Sequence, residues 1–447
     1  MSRRSQIVIC GAGIAGVSTA YHLARTGFKD ILIVDPLPPL SLTSDRSTEC
    51  YRNWWPDPEL LALMNRSIDL MEQLVRESAN LFRMNHRGYL YLISREAEIA
   101  SFRQRAARIA SLGAGELRVH SSVRSGYRRG SSEAIGGADL LLGSDLVQAH
   151  YPYVTERAVA ALHVRRAGWL SAQQLGMYLL DCARQQGVLV ERAEVDGLDV
   201  HSGRVRAVHL DTAQRIECDF FINAAGPYAA KVASLLDLNV PLDTELHLKV
   251  AFSDYLGVVD RAAPLLVWDE PQSLPWEPEE LDSLRADADA RWLTEELPAG
   301  AHVRPEGSSE SSTVLMLWDY KPRHMQPAFP PPSDDLYPEI VLRGLSTMLP
   351  GLKQYLGRSP RPHLDGGYYV KTPENRLFAG PLPVEGAYMI AGLSGYGIMS
   401  ACAAGELLAA HVAGSPLPAY ALAFSPSRYD DVQYRTGLGN LDKGGEL

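Results

Sequence analysis

The sequence predicts an α/β fold, and three observations predict it. Within residues 6–35, an apolar run, a glycine-rich turn, a helical stretch and a second apolar run follow one another. Further apolar runs and helical stripes recur along the rest of the chain. The chain has 447 residues, 46% of them hydrophobic and 21% charged, enough for more than one globular core and far from the composition of a disordered protein.

Each element has a local reason. Ile7-Val8-Ile9-Cys10 reads as a strand buried on both faces, and residues 31–35 as a second one. Gly11-Ala12-Gly13-Ile14-Ala15-Gly16 opens a helix that runs to about Arg25, with Gly27 ending it. Asp57 as N-cap and Pro58 at the first helical position start a helix to about Asn80. Its apolar stripe is Leu60, Leu61, Met64, Ile68, Met71, Leu74 and Val75. Ser171 with Gln174 forms a capping box before a helix over 172–186. Residues 188–190, 205–210, 220–223 and 313–318 read as strands. A small-residue helix over 398–412 is closed by Gly414. Segments 123–138 and 269–312 read as insertions without assignable periodicity, and the polar tail after Pro426 is expected on the surface.

Composition excludes several classes. A net charge of −10 supplies no basic face for nucleic acid. No apolar run approaches the roughly 18 residues of a membrane span. Arg3-Arg4 ahead of Ile7–Cys10 imitates a signal peptide, but four apolar residues are too few, and a cytoplasmic location is expected. Five cysteines without CxxC spacing argue against a disulfide framework or a zinc site. The histidines show no metal-ligand spacing, so no metal is expected.

The N-terminal unit is a dinucleotide cradle of Rossmann type. Gly11 permits the tight turn, Gly13 lets the backbone approach a pyrophosphate, and Gly16 lets the helix pack on the strand. The helix N-terminus offers unpaired N–H groups and partial positive charge to phosphates. Asp35, 19 residues after Gly16, stands where a carboxylate takes ribose hydroxyls and disfavours a 2′-phosphate. FAD and NAD share this cradle. No second complete GxGxxG exists for a nicotinamide, so the organic substrate is expected to be the electron donor.

Three further segments narrow the reading. They are Ser44-Asp45-Arg46-Ser47-Thr48-Glu49-Cys50-Tyr51-Arg52; Phe221-Ile222-Asn223-Ala224-Ala225-Gly226; and Tyr369-Val370-Lys371-Thr372-Pro373-Glu374, continued by Gly392-Leu393-Ser394-Gly395-Tyr396-Gly397. With the cradle, they resemble the D-amino-acid oxidase superfamily, which includes glycine oxidase, monomeric sarcosine oxidase and dimethylglycine dehydrogenase. The resemblance covers nearly the whole chain.

The resemblance implies a discontinuous FAD-binding domain (1–85, 155–240 and 355–425) and a substrate domain on a mainly antiparallel sheet (86–154 and 241–354), with a surface tail at 426–447. It implies FAD; the flavin is expected to be held non-covalently, with a link through Cys50 as the alternative. The cofactor-binding positions are Gly11, Gly13, Ile14, Ala15, Gly16, Asp35, Ser44, Arg46, Ser47, Thr48 and Val195, then Ala225, Gly226, Gly392, Ser394, Gly395, Tyr396, Gly397 and Ile398. The helix after Gly397 would turn its N-terminus to the negative charge that reduction places on the flavin. Arg52 as carboxylate anchor, Tyr369, Tyr396 and Met399 fall at the reaction centre. His247 and Lys249 are further candidates to face the site, and Trp54, Trp55 and Trp318 to wall it. The implied activity is oxidation of a C–N bond of an amine or amino acid, N-methylated or not, to an imine. O2 or another acceptor takes the electrons. Alternatives are oxidation of a 2-hydroxy acid and a non-catalytic flavin-binding assembly factor.

Several positions depart from the family. Glu49-Cys50 replaces a Gly-Gly pair. Gly367 stands where sarcosine oxidases link FAD through a cysteine. Tyr396 replaces a histidine, and Met399 a lysine that holds substrate carboxylate. Met316 stands on the strand where those oxidases carry a lysine that promotes reaction with O2. These changes weaken the case for sarcosine and for oxidase activity.

Overall fold

A computed structural model describes residues 3–130, 136–358 and 360–438. Its central feature is a six-stranded sheet, parallel except at one edge. Strand Ile7–Cys10 lies in the middle, between Ile31–Val34 and Phe220–Asn223, with Ile9 opposite Ile33 on one side and Ile222 on the other. All four of its side chains are buried, which is why the segment carries no polar residue. Full burial of each branched side chain contributes about 1.5–3 kcal/mol.

Helix Ile14–Arg25 crosses back over this sheet, and helix Gly397–Ala413 packs against it. The two backbones approach closely at Gly405, where a Cβ would lie 2.9 Å from Ser18 C. Ser18 Oγ donates to Ala401 O at 2.8 Å across the contact. Helix Pro58–Glu77 starts as expected, with the Asp57 carboxylate accepting from Leu60 N at 2.8 Å. Helix Ala172–Gln185 begins with Ser171 accepting from Gln174 N. Gly414 closes the last long helix in the left-handed region.

A ten-stranded, mainly antiparallel sheet forms the second layer system. Its long strand Asp243–Ser253 pairs with Thr313–Leu317 on one side and His363–Lys371 on the other. The sheet reaches beyond the boundaries expected from sequence: strands Ala160–Val164 and His363–Lys371 belong to it. Long-range pairing partners decide membership here, and boundary composition does not reveal them.

Two segments differ from expectation. Segment 269–312 is not structureless. It holds helix Pro278–Ala286, opened by a capping box between Glu277 and Glu280, and strand Ala301–Pro305 in the large sheet. The tail after Pro426 is not wholly superficial. Arg428 is buried, and its guanidinium meets the fully buried Glu374 carboxylate at 2.7 Å. Part of the 123–138 insertion, residues 131–135, and the end of the tail lie outside the described residues. Among the described residues, no helix is long and apolar enough to cross a membrane. The five cysteines are all unpaired.

Candidate active site

One cavity of about 720 Å³ runs from the N-terminal cradle to the large sheet. Its volume lies within the roughly 300–1,000 Å³ of ligand pockets. At one end Asp35 lines it, beside Val195, Gly226 and Tyr228. The two carboxylate oxygens of Asp35 accept from Ala12 N at 2.7 Å and Leu37 N at 2.8 Å. Burial outweighs these bonds and pushes the carboxyl group above its usual range.

The middle of the cavity is shaped by absent side chains. Gly11 has φ +113°, and a Cβ there would sit 2.3 Å from Ala224 O. A Cβ on Gly16 would meet Gly11 O at 2.0 Å, so Gly16 acts through packing and lies outside the cavity lining. Ser44 Oγ accepts from Ile14 N at 3.0 Å, placing the second segment against the helix N-terminus.

Cations of the large sheet hold the turn that follows. Lys249 Nζ donates to Ser47 O at 3.1 Å, and Arg304 Nη2 to Thr48 O at 2.8 Å. Arg46 pairs with Asp365 at 2.6 Å. Burial pushes the Lys249 ammonium below its usual range, against the pull of Asp365. Thr43 Oγ1 and Arg46 Nε are buried without a hydrogen-bond partner, and both residues line the cavity. Unmet donors on a cavity wall fit a polar ligand that completes them.

At the far end, Gly392, Ser394, Gly395, Gly397 and Ile398 line the cavity where helix Gly397–Ala413 begins. Tyr369 faces them. A Cβ on Gly395 would lie 2.5 Å from its ring. His247 stacks on the same ring, centroids 3.6 Å apart and planes 19° from parallel. Its Nε2 is 3.3 Å from Glu245 and its Nδ1 3.6 Å from Asp319. His247 and Lys371 together hold the Glu245 carboxyl down at about 2. A second cavity of about 30 Å³ adjoins, lined by His247, His302, Leu317, Asp319, Tyr320 and Arg323. Two groups of side chains, Asp243/Glu245/His324 and Glu245/His247/Asp319, converge closely enough to hold a cation. Each contains Glu245, whose carboxylate is already taken by Lys371 at 2.6 Å.

The family model DAO, described as FAD dependent oxidoreductase, matches residues 6–411. The chain belongs to this family. FAD is its cofactor, and the cavity residues fit it: a glycine turn with no room for a Cβ at Gly11, an acidic residue at the ribose position and buried unmet donors. The chain is 28% identical to the mouse (Mus musculus) mitochondrial pyruvate dehydrogenase phosphatase regulatory subunit over 55% of its own length and 25% of that protein's. It is 22% identical to human (Homo sapiens) mitochondrial dimethylglycine dehydrogenase over 95% of its length and 44% of that protein's. It therefore spans less than half the length of these relatives. Its fold is that of L-proline dehydrogenase from P. horikoshii, with TM-score 0.74, 18% identity and 96% and 99% of the two chains covered.

The expected reaction-centre residues divide in this family member. Tyr369 lines the cavity, while Arg52, Tyr396 and Met399 are buried and not part of its lining. Arg52 is only 4% exposed, its guanidinium 4.4 Å from the Trp55 ring and 5.6 Å from Tyr89. Tyr396 donates to Asn375 O at 2.7 Å and meets Trp55 edge-on. Trp54 and Trp55 are core residues, and Trp318 touches only the small cavity. Cys50 is buried, donates to Thr48 O and is absent from the lining, while Gly367 is part of it.

His247 and Lys249 do reach the cavity. The signal for them was strict alternation: Leu246, Leu248, Val250 and Phe252 enter one core, which leaves Glu245, His247 and Lys249 for the other face. Thr43, Leu317 and Phe329 also line it, and no sequence pattern distinguished them.

Proposed function

We propose that the chain oxidises a C–N bond of a small amine or amino acid, N-methylated or not, to an imine that water then hydrolyses. Bound FAD supplies the acceptor for the hydride leaving the substrate carbon. The observation that carries the reading is the stacked pair of Tyr369 and His247 on the cavity wall. A flat aromatic surface there can orient a small amine with its C–H towards the cofactor, and positioning of this kind supplies much of a hydride-transfer rate. The apolar Leu317 beside the pair helps exclude water. Similarity to dimethylglycine dehydrogenase and to L-proline dehydrogenase supports the same class of donor. FAD is proposed to bind without a covalent link, because Cys50 lies behind the wall and Gly367 offers no nucleophile.

A second reading has one observation in its favour. Oxidation of a 2-hydroxy acid needs a group to take the hydroxyl proton, and the His247 imidazole stands on the wall. Anaerobic titration separates the two. The flavin band near 450 nm (an approximate value) is followed while amines, N-methyl amino acids, amino acids of both configurations and 2-hydroxy acids are added. Bleaching by nitrogen donors alone supports the first reading, and bleaching by hydroxy acids alone replaces it. Readmitting air then shows whether O2 is the acceptor. An FAD-loaded protein that no donor bleaches favours the assembly-factor alternative.

A further inference from the structure

We propose that His247 is a positioning residue that sets the orientation of Tyr369 and so determines how tightly the substrate fits. The inference rests on the amine-oxidation reading for its consequence, though not for its geometry. Glu245 pairs with Tyr369, and His247 with Gly367, in adjacent antiparallel strands. His247 therefore reaches Tyr369 diagonally, past its direct partner Gly367. The rings lie 3.6 Å apart and nearly parallel. Gly395 abuts the same ring, since a Cβ there would come within 2.5 Å of it. The phenol is thus confined by an imidazole and by a backbone that has no room to spare.

The imidazole is itself anchored. Its Nε2 lies 3.3 Å from Glu245, and Lys371, two residues beyond Tyr369 on the same strand, holds that carboxylate at 2.6 Å. Its Nδ1 faces Asp319 at 3.6 Å. Loosening His247 would remove the stacked restraint on Tyr369, in a wall that both cavities share.

The test uses FAD-loaded protein labelled with 3-fluorotyrosine, with the Tyr369 fluorine resonance assigned by its loss in Tyr369→Phe. His247→Ala removes the stacking partner, His247→Phe restores a ring without the bonds, and Glu245→Gln weakens the anchor while leaving the stack. Sarcosine, dimethylglycine and proline of both configurations serve as kinetic probes. In His247→Ala the Tyr369 resonance should move and KM should rise about five- to tenfold, the size of an aromatic pair's contribution, with kcat changed less. His247→Phe should recover both, and Glu245→Gln should give a smaller shift of the same sign. An unmoved resonance in His247→Ala, or a His247→Phe variant no better than His247→Ala, overturns the proposal. If His247→Ala does not fold, Glu245→Gln decides by the same readouts. If no nitrogen donor bleaches the flavin, the amine reading fails, and the fluorine resonances alone decide the role of His247.

Discussion

Glu49 turns its carboxylate onto the start of a helix, accepting from Ala172 N at 2.8 Å. Its backbone takes φ +63°, the region a glycine favours. Glu49 is not part of the cavity lining, and its side chain serves as an anchor on helix Ala172–Gln185.

This arrangement predicts opposite behaviour for two small substitutions. Glu49→Ala loses the anchor and keeps the strained backbone, and should cost about 1 kcal/mol. Glu49→Gly loses the same bond but relieves the strain, and should lie close to the parent protein. Chemical denaturation of the three proteins checks the order, and an alanine variant as stable as the glycine one removes the argument.

Gly11→Ala should abolish cofactor loading. Its Cβ would sit 2.3 Å from Ala224 O, a backbone atom that cannot step aside. Flavin content after purification, read from the visible spectrum, should fall at least tenfold, with a lower melting temperature for what remains folded. Full flavin content would show that this turn does not depend on glycine.

Acid should unfold the protein through buried imidazoles. Burial pushes His22 and His302 down to about 4 and His163 to about 3. In the unfolded chain they titrate near 6.5. Their contribution is complete above pH 6.5, because both states are then unprotonated. As pH falls below 6.5 the unfolded state takes up protons first, and stability is lost until pH passes the folded values. Each histidine adds about 1.4 kcal/mol per pH unit to the slope in that window. His302→Gln should flatten the slope between pH 6 and 4.5, and an unchanged slope would place the acid sensitivity elsewhere.

Glu374→Ala should be among the most damaging single changes. The carboxylate is fully buried and accepts from Arg428 at 2.7 Å, from Tyr434 at 3.0 Å and from Tyr429. Removing it leaves a buried guanidinium without its counter-charge, at a cost of about 3–5 kcal/mol. Arg428→Met together with Glu374→Leu should recover part of that loss. A single variant within 1 kcal/mol of the parent, a threshold far below that cost, would show that water reaches the pair.

Much of the FAD half was legible from short-range pattern. Strand, Gly11–Gly16 turn, helix and Asp35 lie within one crossover unit, where local sequence dictates local geometry. The helix starts at Pro58, Ala172 and Gly397 were legible for the same reason. The large sheet was less so. Segment 269–312 shows no periodicity because its strand Ala301–Pro305 is buried between two others while its neighbouring turns are polar.

The sequence by itself determined the cradle, because glycine spacing and an acidic residue at a set distance are local constraints, and three further segments carried the resemblance that selects FAD over NAD. Only the tertiary structure decided which polar side chains line the cavity. Arg52 carries the motif but is drawn onto Trp55, since an aromatic face in a closed core offers the guanidinium a partner. Tyr369 reaches the cavity because a strand more than a hundred residues earlier places His247 against it. Register between distant strands is set by the packing of both faces at once, and no single segment encodes it.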